Sequence, residues 1–492
     1  MDRTPLVAIV GSGFCGTVAA IHLLRNPALA RLRILLIERP GHGVGGVAYD
    51  VASPNLVLNV PTLRMSAFDD APDDFLEFLR TREPAAEPYG HARRCDYGEY
   101  LAARLDQAAR AALERTGGTI TVEPLAGRVR DLQRDALGRL HLVVDTGAAT
   151  LEVLADAVLL ATGPLPASPP AWLEPWMLDE HRYADAWTPG ATAPDERGGT
   201  IVLLGTGLTM VDLAVELRSA GHAGPIVAVS RHGLLPRTDD GPVPPPRGDE
   251  LPPEVAAALA DEPAYARRAR VAELARALHR RGRELRAEGR DWRTLIGAVR
   301  ARLPELWHRL DAVERARFLR HARVYWDVHR HRLPATLAVR VEQEALGGQL
   351  EIVAGRVTHA GRDPGGLRLR VAPRGGGEPR ELLAARVVNC TGAGPATRVS
   401  FGLPWLPLVE RGWVATDAAA LGVYTDPDGR LLDATLAAHP DLWYAGPLWR
   451  AQHWECTAVP ELRGRLPRVA AAIATSIAAA ASATRAARVA PA

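Results

Sequence analysis

Leu6-Val-Ala-Ile-Val10 leads directly into Gly11-Ser-Gly13-Phe-Cys-Gly16, and Ile201-Val-Leu-Leu204 leads into Gly205-Thr-Gly207-Leu-Thr-Met210. Each is an apolar strand feeding a glycine turn and a helix. Each then reaches a matched closing block: Gly117-Gly118 to Ala126-Gly-Arg-Val129 and Ala157-Val-Leu-Leu-Ala-Thr-Gly163 in the first half, Gly347-Gly348 to Ala354-Gly-Arg-Val357 and Arg386-Val-Val-Asn-Cys-Thr-Gly392 in the second. A single GxGxxG is weak evidence. A duplicated one with duplicated landmarks downstream predicts two dinucleotide-binding units in one polypeptide, and the economical reason to hold two nucleotides is electron transfer between them.

In the first motif Gly11 permits the tight turn, Gly13 lets the backbone approach a pyrophosphate, and Gly16 lets the helix pack close to the strand. The helix opens at Phe14 and Cys15, whose N–H groups and positive dipole end face the anion. Glu38, with Arg39 beside it, ends the strand Arg31-Leu-Arg-Ile-Leu-Leu-Ile37. A carboxylate there accepts hydrogen bonds from an adenosine ribose and repels a 2′-phosphate, so FAD or NAD fits and NADP does not. Thr162 and Gly163 close this site. In the second motif Met210 replaces the third glycine, Leu208 and Thr209 open the helix, and Ile226-Val-Ala-Val229 ends in Ser230-Arg231-His232 rather than an acid. Arginine and histidine offer charge-assisted donors to a 2′-phosphate, which favours NADPH over NADH.

The chain has 492 residues, 47% hydrophobic and 24% charged, enough for two or three domains with buried cores. Its formal net charge of +2 gives no reason to expect a nucleic acid or a membrane surface as partner. No lysine occurs, so lysine Schiff bases, pyridoxal phosphate attachment and a Walker-type phosphate lysine are excluded. The four cysteines, Cys15, Cys95, Cys390 and Cys456, show no CxxC or zinc-like spacing, which suits a reduced protein without metal. The first strand begins almost at once, leaving no room for a signal peptide before Val7, and Ala470 to Ala481 is too short and weakly apolar for a membrane span. The expected location is the cytoplasm.

Between the glycine motifs and their closing blocks lie long excursions. Pro40 to about Thr116 carries Gly43-Val-Gly-Gly-Val-Ala-Tyr49, Asn55-Leu-Val-Leu-Asn-Val-Pro61 and helical patterns at Phe75 to Arg80 and Tyr97 to Glu114. Asn59 and Met65 in this excursion are candidates for a polar contact and an apolar wall over a cofactor, or else a loop amide and a core methionine. Pro164 to Pro175 marks a joint, and from about Pro252 to Arg332 an arginine-, alanine- and leucine-rich stretch has helical periodicity. Within it, Arg320 to Arg332 mixes guanidinium and imidazole groups with Tyr325 and Trp326. Trp326 and Arg330 are candidates to clamp an anionic or planar substrate or the NADPH phosphates, or to form a solvated helix face. As a zinc site this run is poor, since Arg330 and Arg332 flank His329 and His331 and repel a cation. Near the end, the strand Leu442-Trp-Tyr-Ala-Gly446 is followed by Trp449, His453, Trp454 and Glu455 and by a helix from about Val459. His453 is a candidate proton donor or acceptor, or a packed side chain.

Four blocks carry a resemblance: Gly46-Val-Ala-Tyr49 with Leu58-Asn-Val-Pro61 and Arg64-Met-Ser66; Gly205-Thr-Gly-Leu-Thr-Met-Val-Asp212 with Ser230-Arg-His-Gly-Leu-Leu-Pro236; Arg317-Phe-Leu-Arg-His321 with Tyr325-Trp-Asp-Val-His-Arg-His-Arg332; and Trp454-Glu-Cys-Thr-Ala-Val-Pro-Glu-Leu-Arg463. The chain resembles the bacterial FAD-NAD(P)-binding proteins that include FAD-dependent urate hydroxylase-like enzymes, and more distantly class B flavin monooxygenases and the ornithine and lysine N-hydroxylases. The resemblance implies an α/β protein with two Rossmann-like dinucleotide-binding domains, in a glutathione-reductase-like arrangement with a helical insertion. It implies FAD in the first site and a nicotinamide in the second. The expected organisation is 1–165 as the first part of the FAD-binding domain, 198–392 as the NAD(P)-binding domain with its insertion at about 250–332, 393–482 as the final part of the FAD-binding domain, and 483–492 as a tail.

Gly446, at the end of the late strand, should approach the flavin, but Gly446-Pro447 replaces the Gly-Asp common there, so no aspartate meets the ribityl chain. The FxGxxxHxxxW fingerprint of Baeyer–Villiger enzymes is absent. The expected activity is an NADPH-dependent FAD monooxygenase that hydroxylates a small polar nitrogenous or heterocyclic substrate with molecular oxygen through a C4a-(hydro)peroxyflavin. A flavin-dependent NAD(P)H reductase or dehydrogenase without oxygen insertion, and a non-catalytic nucleotide-sensing flavoprotein, are the alternatives.

Overall fold

Both apolar runs become central parallel strands because each must bury side chains on its two faces at once, and such strands read as unbroken hydrophobic sequence. A computed structural model of the chain describes residues 3–260, 270–394 and 402–489, with side chains as far as residue 480. The chain divides into two compact units.

The first unit comprises residues 1–52, 60–165 and 395–492. Its six-stranded sheet runs in the order Arg430–Leu432, Ala438–Tyr444, Ala157–Leu160, Leu6–Val10, Leu32–Glu38, Ile120–Ala126. All neighbours pair in parallel except the edge strand Arg430–Leu432. The late segment thus returns to complete the first sheet, through Ala438–Tyr444 beside Ala157–Leu160. A three-stranded antiparallel meander, Arg128–Arg134, Leu140–Asp145 and Thr150–Ala155, branches off where Gly127 lies close to Val144. Helices Phe14–Arg25 and Arg94–Thr116 pack together, and the latter ends at Gly117 in the left-handed conformation.

The second unit comprises residues 53–59 and 166–394. Its seven-stranded sheet runs Arg380–Ala384, Gly366–Pro373, Leu350–Asp363, Ile226–Ser230, Ile201–Leu204, Arg386–Asn389, Tyr183–Asp185. The last five are parallel and the first two antiparallel. Along Ile201–Leu204 the side chains alternate: Ile201 and Leu203 pack with helix residues Met210, Leu217, Leu337 and Val341, whereas Val202 and Leu204 pack with meander residues Val357, Leu367 and Leu369. The single strand Leu350–Asp363 does the work of two in the first unit, pairing with Ile226–Ser230 before Gly355 and with Gly366–Pro373 from Gly355 onward.

The helical insertion is present as Pro253–Leu259, Val271–Ala287, Arg293–Arg309, Ala312–Arg317 and Arg323–Arg330. Its two ends are stitched by the parallel pairs Thr238 with Leu333 and Asp239 with Pro334. Ser53–Asn59 lies within the expected domain 1–165, and residues 166–197 lie between the expected domains. Both belong to the second unit, the former because Val57 packs on its core and the latter because Tyr183–Asp185 adds its edge strand. The expected tail at 483–492 is helical through Val489, since Leu466–Val489 is an uninterrupted alanine-rich helix. Among the described residues, no helix is long and apolar enough to cross a membrane.

Candidate functional site

The three glycines of the first loop have different duties. Gly11 takes φ +108° and donates its N–H to Ile37 O at 2.7 Å. A Cβ on Gly16 would overlap the Gly11 carbonyl oxygen and stand 3.0 Å from its carbon and 3.2 Å from Ile9 Cγ2. Both positions are therefore spent on packing. Gly13, which caps Phe14–Arg25, is different: a Cβ there would meet nothing within 4 Å. Open space thus lies over the backbone at a helix N-terminus, where an anion is favoured. The side chains of Phe14 and Cys15 are buried, so these residues can serve an anion only through their N–H groups. Burial, with Cys456 adding, pushes the Cys15 thiol up and keeps it from acting as a thiolate.

Glu38 is not simply waiting for a ribose. Its Oε2 accepts from Ser12 N at 2.7 Å and lies 3.2 Å from Ser12 Oγ, and its Oε1 accepts from Arg39 N at 3.0 Å. The carboxylate holds the glycine loop in shape and retains acceptor capacity on Oε1 for a ligand hydroxyl. The Arg39 side chain is exposed. Gly43-Val-Gly-Gly-Val-Ala-Tyr49 folds back over the loop: Ser12 Oγ donates to Gly43 O at 2.8 Å, Gly45 N donates to Ser12 O at 2.9 Å, and a Cβ on Gly46 would sit 3.1 Å from Gly13 Cα. Beside it, Tyr97 is fully buried with its ring stacked on Phe14 at 6.5 Å and edge-on to Tyr49 at 4.7 Å. Its hydroxyl has no hydrogen-bond partner among the described residues. An unmet buried hydroxyl costs about 1–3 kcal/mol, as expected of a site completed by a bound molecule or water.

At the closing block, Thr162 Oγ1 accepts from Trp405 Nε1 at 2.8 Å, and Gly163 has φ +75° with open space around it. Trp405, Tyr444 and Trp449 form an edge-on aromatic chain with ring centroids 5.4 and 5.8 Å apart. Gly446 takes φ +153°, and a Cβ there would meet Tyr444 Oη at 2.7 Å, so its glycine serves a tight turn. His453, half-buried, continues this turn by donating its N–H to Trp449 O at 2.7 Å. Of the two readings of Met65, its 2% exposure fits the core methionine. Asn59 is grouped with the second unit.

The second loop repeats the first with changed chemistry. Gly205 takes φ +109°, and a Cβ on it would meet Cys390 O at 2.7 Å. Gly207 caps Leu208–Ser219 and, like Gly13, leaves open space where a Cβ would stand, with no atom within 4 Å. Leu208 and Thr209 lie in the first turn. Met210, in place of the third glycine, is fully buried among the helix-side core, and its N–H closes a short turn to Gly207 O at 3.0 Å.

The register that aligns Leu204 with Val229 matches that of Val10 with Ile37, so Ser230 occupies the place of Glu38. Thr206 Oγ1 and Ser230 Oγ are 2.9 Å apart, repeating the Ser12 to Glu38 contact with a neutral hydroxyl. Arg231 follows, exposed, and then His232, whose ring meets Tyr325 edge-on at 5.8 Å. Burial, then Arg374, then Arg231 hold the His232 imidazole below its usual pKa. Among the described residues its buried Nδ1 has no hydrogen-bond partner. Exposed Arg374, just past the end of Gly366–Pro373, thus joins Arg231 at this edge.

Along the run Arg320 to Arg332 the side chains have different surroundings. Tyr325 is about half exposed and faces His232, while Trp326 is nearly buried in the insertion and Arg330 is half-buried. His329 shares a hydrogen bond with Tyr325 O at 2.7 Å and lies edge-on to Trp292 at 5.1 Å. Among the described residues, no cluster of histidine, cysteine, aspartate and glutamate could hold a metal ion.

Residues 8–165 match the profile of a family described as FAD-NAD(P)-binding. No curated protein matches the chain in sequence. Among solved structures, the chain is similar to the ornithine N-hydroxylase of Kutzneria sp. 744, described with reduced FAD, NADP+ and L-ornithine (TM-score 0.60, 15% identity, 96% of this chain and 99% of that one). It is similar to the FAD-bound cadaverine monooxygenase of desferrioxamine biosynthesis from Erwinia amylovora (TM-score 0.60, 12% identity, 96% and 95%). It is also similar to thioredoxin reductase from Lactococcus lactis (TM-score 0.51, 13% identity, 97% and 100%). The fold is therefore that of the two-domain dinucleotide-binding flavoproteins.

Proposed function

We propose that the protein is an NADPH-dependent FAD monooxygenase that hydroxylates a small polar nitrogenous or heterocyclic substrate. The observation that carries this reading is the contrast between two otherwise repeated cradles. Gly13 and Gly207 both leave open space at a helix N-terminus, but the edge beside the first bears Glu38 and the edge beside the second bears Ser230, Arg231, His232 and Arg374. A carboxylate suits the free ribose of FAD, and two guanidinium groups suit a 2′-phosphate. FAD, when bound, supplies hydride acceptance and oxygen activation. The chain's own contribution is to orient both nucleotides through backbone N–H groups and to discriminate them at these two edges.

The balanced reaction is substrate, oxygen, NADPH and a proton giving hydroxylated substrate, NADP+ and water. The monooxygenases of similar fold act on ornithine and cadaverine, which supports a small amine as the substrate class. A dithiol reductase is disfavoured although the fold is shared, because burial pushes up the thiols of Cys15, Cys390 and Cys456, the last to about 12. Four free cysteines support a reducing compartment such as the cytoplasm.

The test is to incubate FAD-reconstituted protein with NADPH and isotope-labelled oxygen over a panel of diamines, basic amino acids, purines and urate. One substrate should acquire one labelled oxygen atom per NADPH consumed. Stoichiometric hydrogen peroxide with every candidate would support a reductase or oxidase instead, and no NADPH consumption would favour a nucleotide sensor.

A further inference from the structure

We infer that Thr391 recognises the carboxamide of the pyridine nucleotide by accepting its N–H, an inference that rests on the reading of the second unit as the NADPH-binding one. Cys390-Thr391-Gly392 lies against the second glycine loop, since a Cβ on Gly205 would meet Cys390 O at 2.7 Å. The sheet order places Ile226–Ser230 on one side of Ile201–Leu204 and Arg386–Asn389 on the other. Arg231, His232 and Arg374 mark the first side as the 2′-phosphoadenosine end. With the pyrophosphate over Gly207, the nicotinamide riboside half passes the second side, where Thr391 is exposed.

The polarity of the Thr391 hydroxyl is fixed by its neighbours. Asn389 is almost fully buried, and its Oδ1 accepts from Thr391 N at 3.1 Å and from Thr391 Oγ1 at 2.7 Å. Its Nδ2 donates to Ser168 O at 3.0 Å and to Tyr183 Oη at 2.9 Å. The amide cannot be turned over, because a backbone N–H only donates and a backbone carbonyl only accepts. The Thr391 proton is therefore committed to Asn389, and the hydroxyl presents lone pairs alone to a ligand. A ribose hydroxyl can adapt to either polarity, but the carboxamide NH2 is an obligate donor.

The first unit makes the opposite choice at the equivalent residue. Thr162 Oγ1 accepts from the Trp405 indole, which can only donate, so its own proton is left to give away. The two Thr-Gly turns are alike in sequence and opposite in what they offer.

The experiment measures binding of NADP+ and of its 3-acetylpyridine analogue, which lacks the amide N–H, to the FAD-loaded wild type, Thr391→Ser and Thr391→Val. Wild type and Thr391→Ser should prefer NADP+ by about tenfold, and Thr391→Val should bind NADP+ about tenfold more weakly with the analogue unaffected. Equal losses for both nucleotides in Thr391→Val, or no change in either, would overturn the assignment while leaving the NADPH reading intact. Failure of wild type to bind either nucleotide would overturn both. An unchanged thermal denaturation profile in each variant verifies the fold, and the exposure of Thr391 makes that the expected result.

Discussion

Gly16→Ala and Gly13→Ala should separate the structural from the ligand-binding duty of one loop. At Gly16 the added methyl overlaps the Gly11 carbonyl, and that carbonyl cannot retreat: Gly11 is anchored by its N–H to Ile37 O at 2.7 Å and is itself packed against the backbone of Ala161. Overpacking against fixed backbone costs about 3 kcal/mol, equivalent to roughly 6 °C in Tm for a unit of this size. At Gly13 the backbone, φ −64° and ψ −171°, is open to alanine, and the methyl meets nothing. The only apoprotein cost is a poorer helix cap, about 1 kcal/mol or less. The methyl does occupy the space through which a pyrophosphate reaches the helix N-terminus, so FAD affinity should fall at least about a hundredfold, or roughly 2.7 kcal/mol. Thermal denaturation of the apoprotein and titration with FAD followed by quenching of flavin fluorescence read the two effects separately. Wild-type flavin affinity in Gly13→Ala, or wild-type apoprotein stability in Gly16→Ala, would refute the division of labour.

Arg231→Ala and Arg374→Ala should each raise KM for NADPH about tenfold while leaving KM for NADH unchanged, as steady-state kinetics with both nucleotides would show. The His232 imidazole is held below its usual pKa in the free protein, and a 2′-phosphate beside it would raise that pKa, so binding takes up a proton. NADPH affinity should therefore rise as pH falls toward and below the usual histidine value, and NADH affinity should not; identical slopes would contradict the placement. Glu38→Ala removes the acceptor of Ser12 N, so the apoprotein should lose about 1–3 kcal/mol of stability in chemical denaturation and FAD should bind more weakly.

The duplicated scaffold was legible because its constraints are local. A strand buried on both faces must be apolar, a turn at φ above +100° favours glycine, and Glu38 and Ser230 each lie at the end of the next strand along the chain. The paired Gly127 and Gly355, each where the chain passes into an antiparallel meander, follow the same logic. What sequence spacing could not supply was contact over long separation. Arg374 reaches the Arg231 edge only because strand pairing brings its N–H to Ala354 O, and Tyr325 reaches His232 only through the folding of the insertion. Trp405, which sets the hydrogen-bond polarity of Thr162, is equally remote in the chain. Ser53–Asn59 shows the same limit from the other side: it lies in sequence among first-unit residues, but Val57 is apolar surface that the second unit buries.

A chain that binds both FAD and NADPH should pass a hydride from the second to the first. Anaerobic stopped-flow mixing of FAD-reconstituted protein with NADPH tests it most directly. The flavin absorbance should bleach in a single turnover with one NADPH consumed per flavin, and a primary isotope effect should appear when the transferred hydrogen of NADPH is replaced by deuterium. Protein that remains colourless after incubation with FAD, or flavin that stays oxidised in the presence of NADPH, would contradict it.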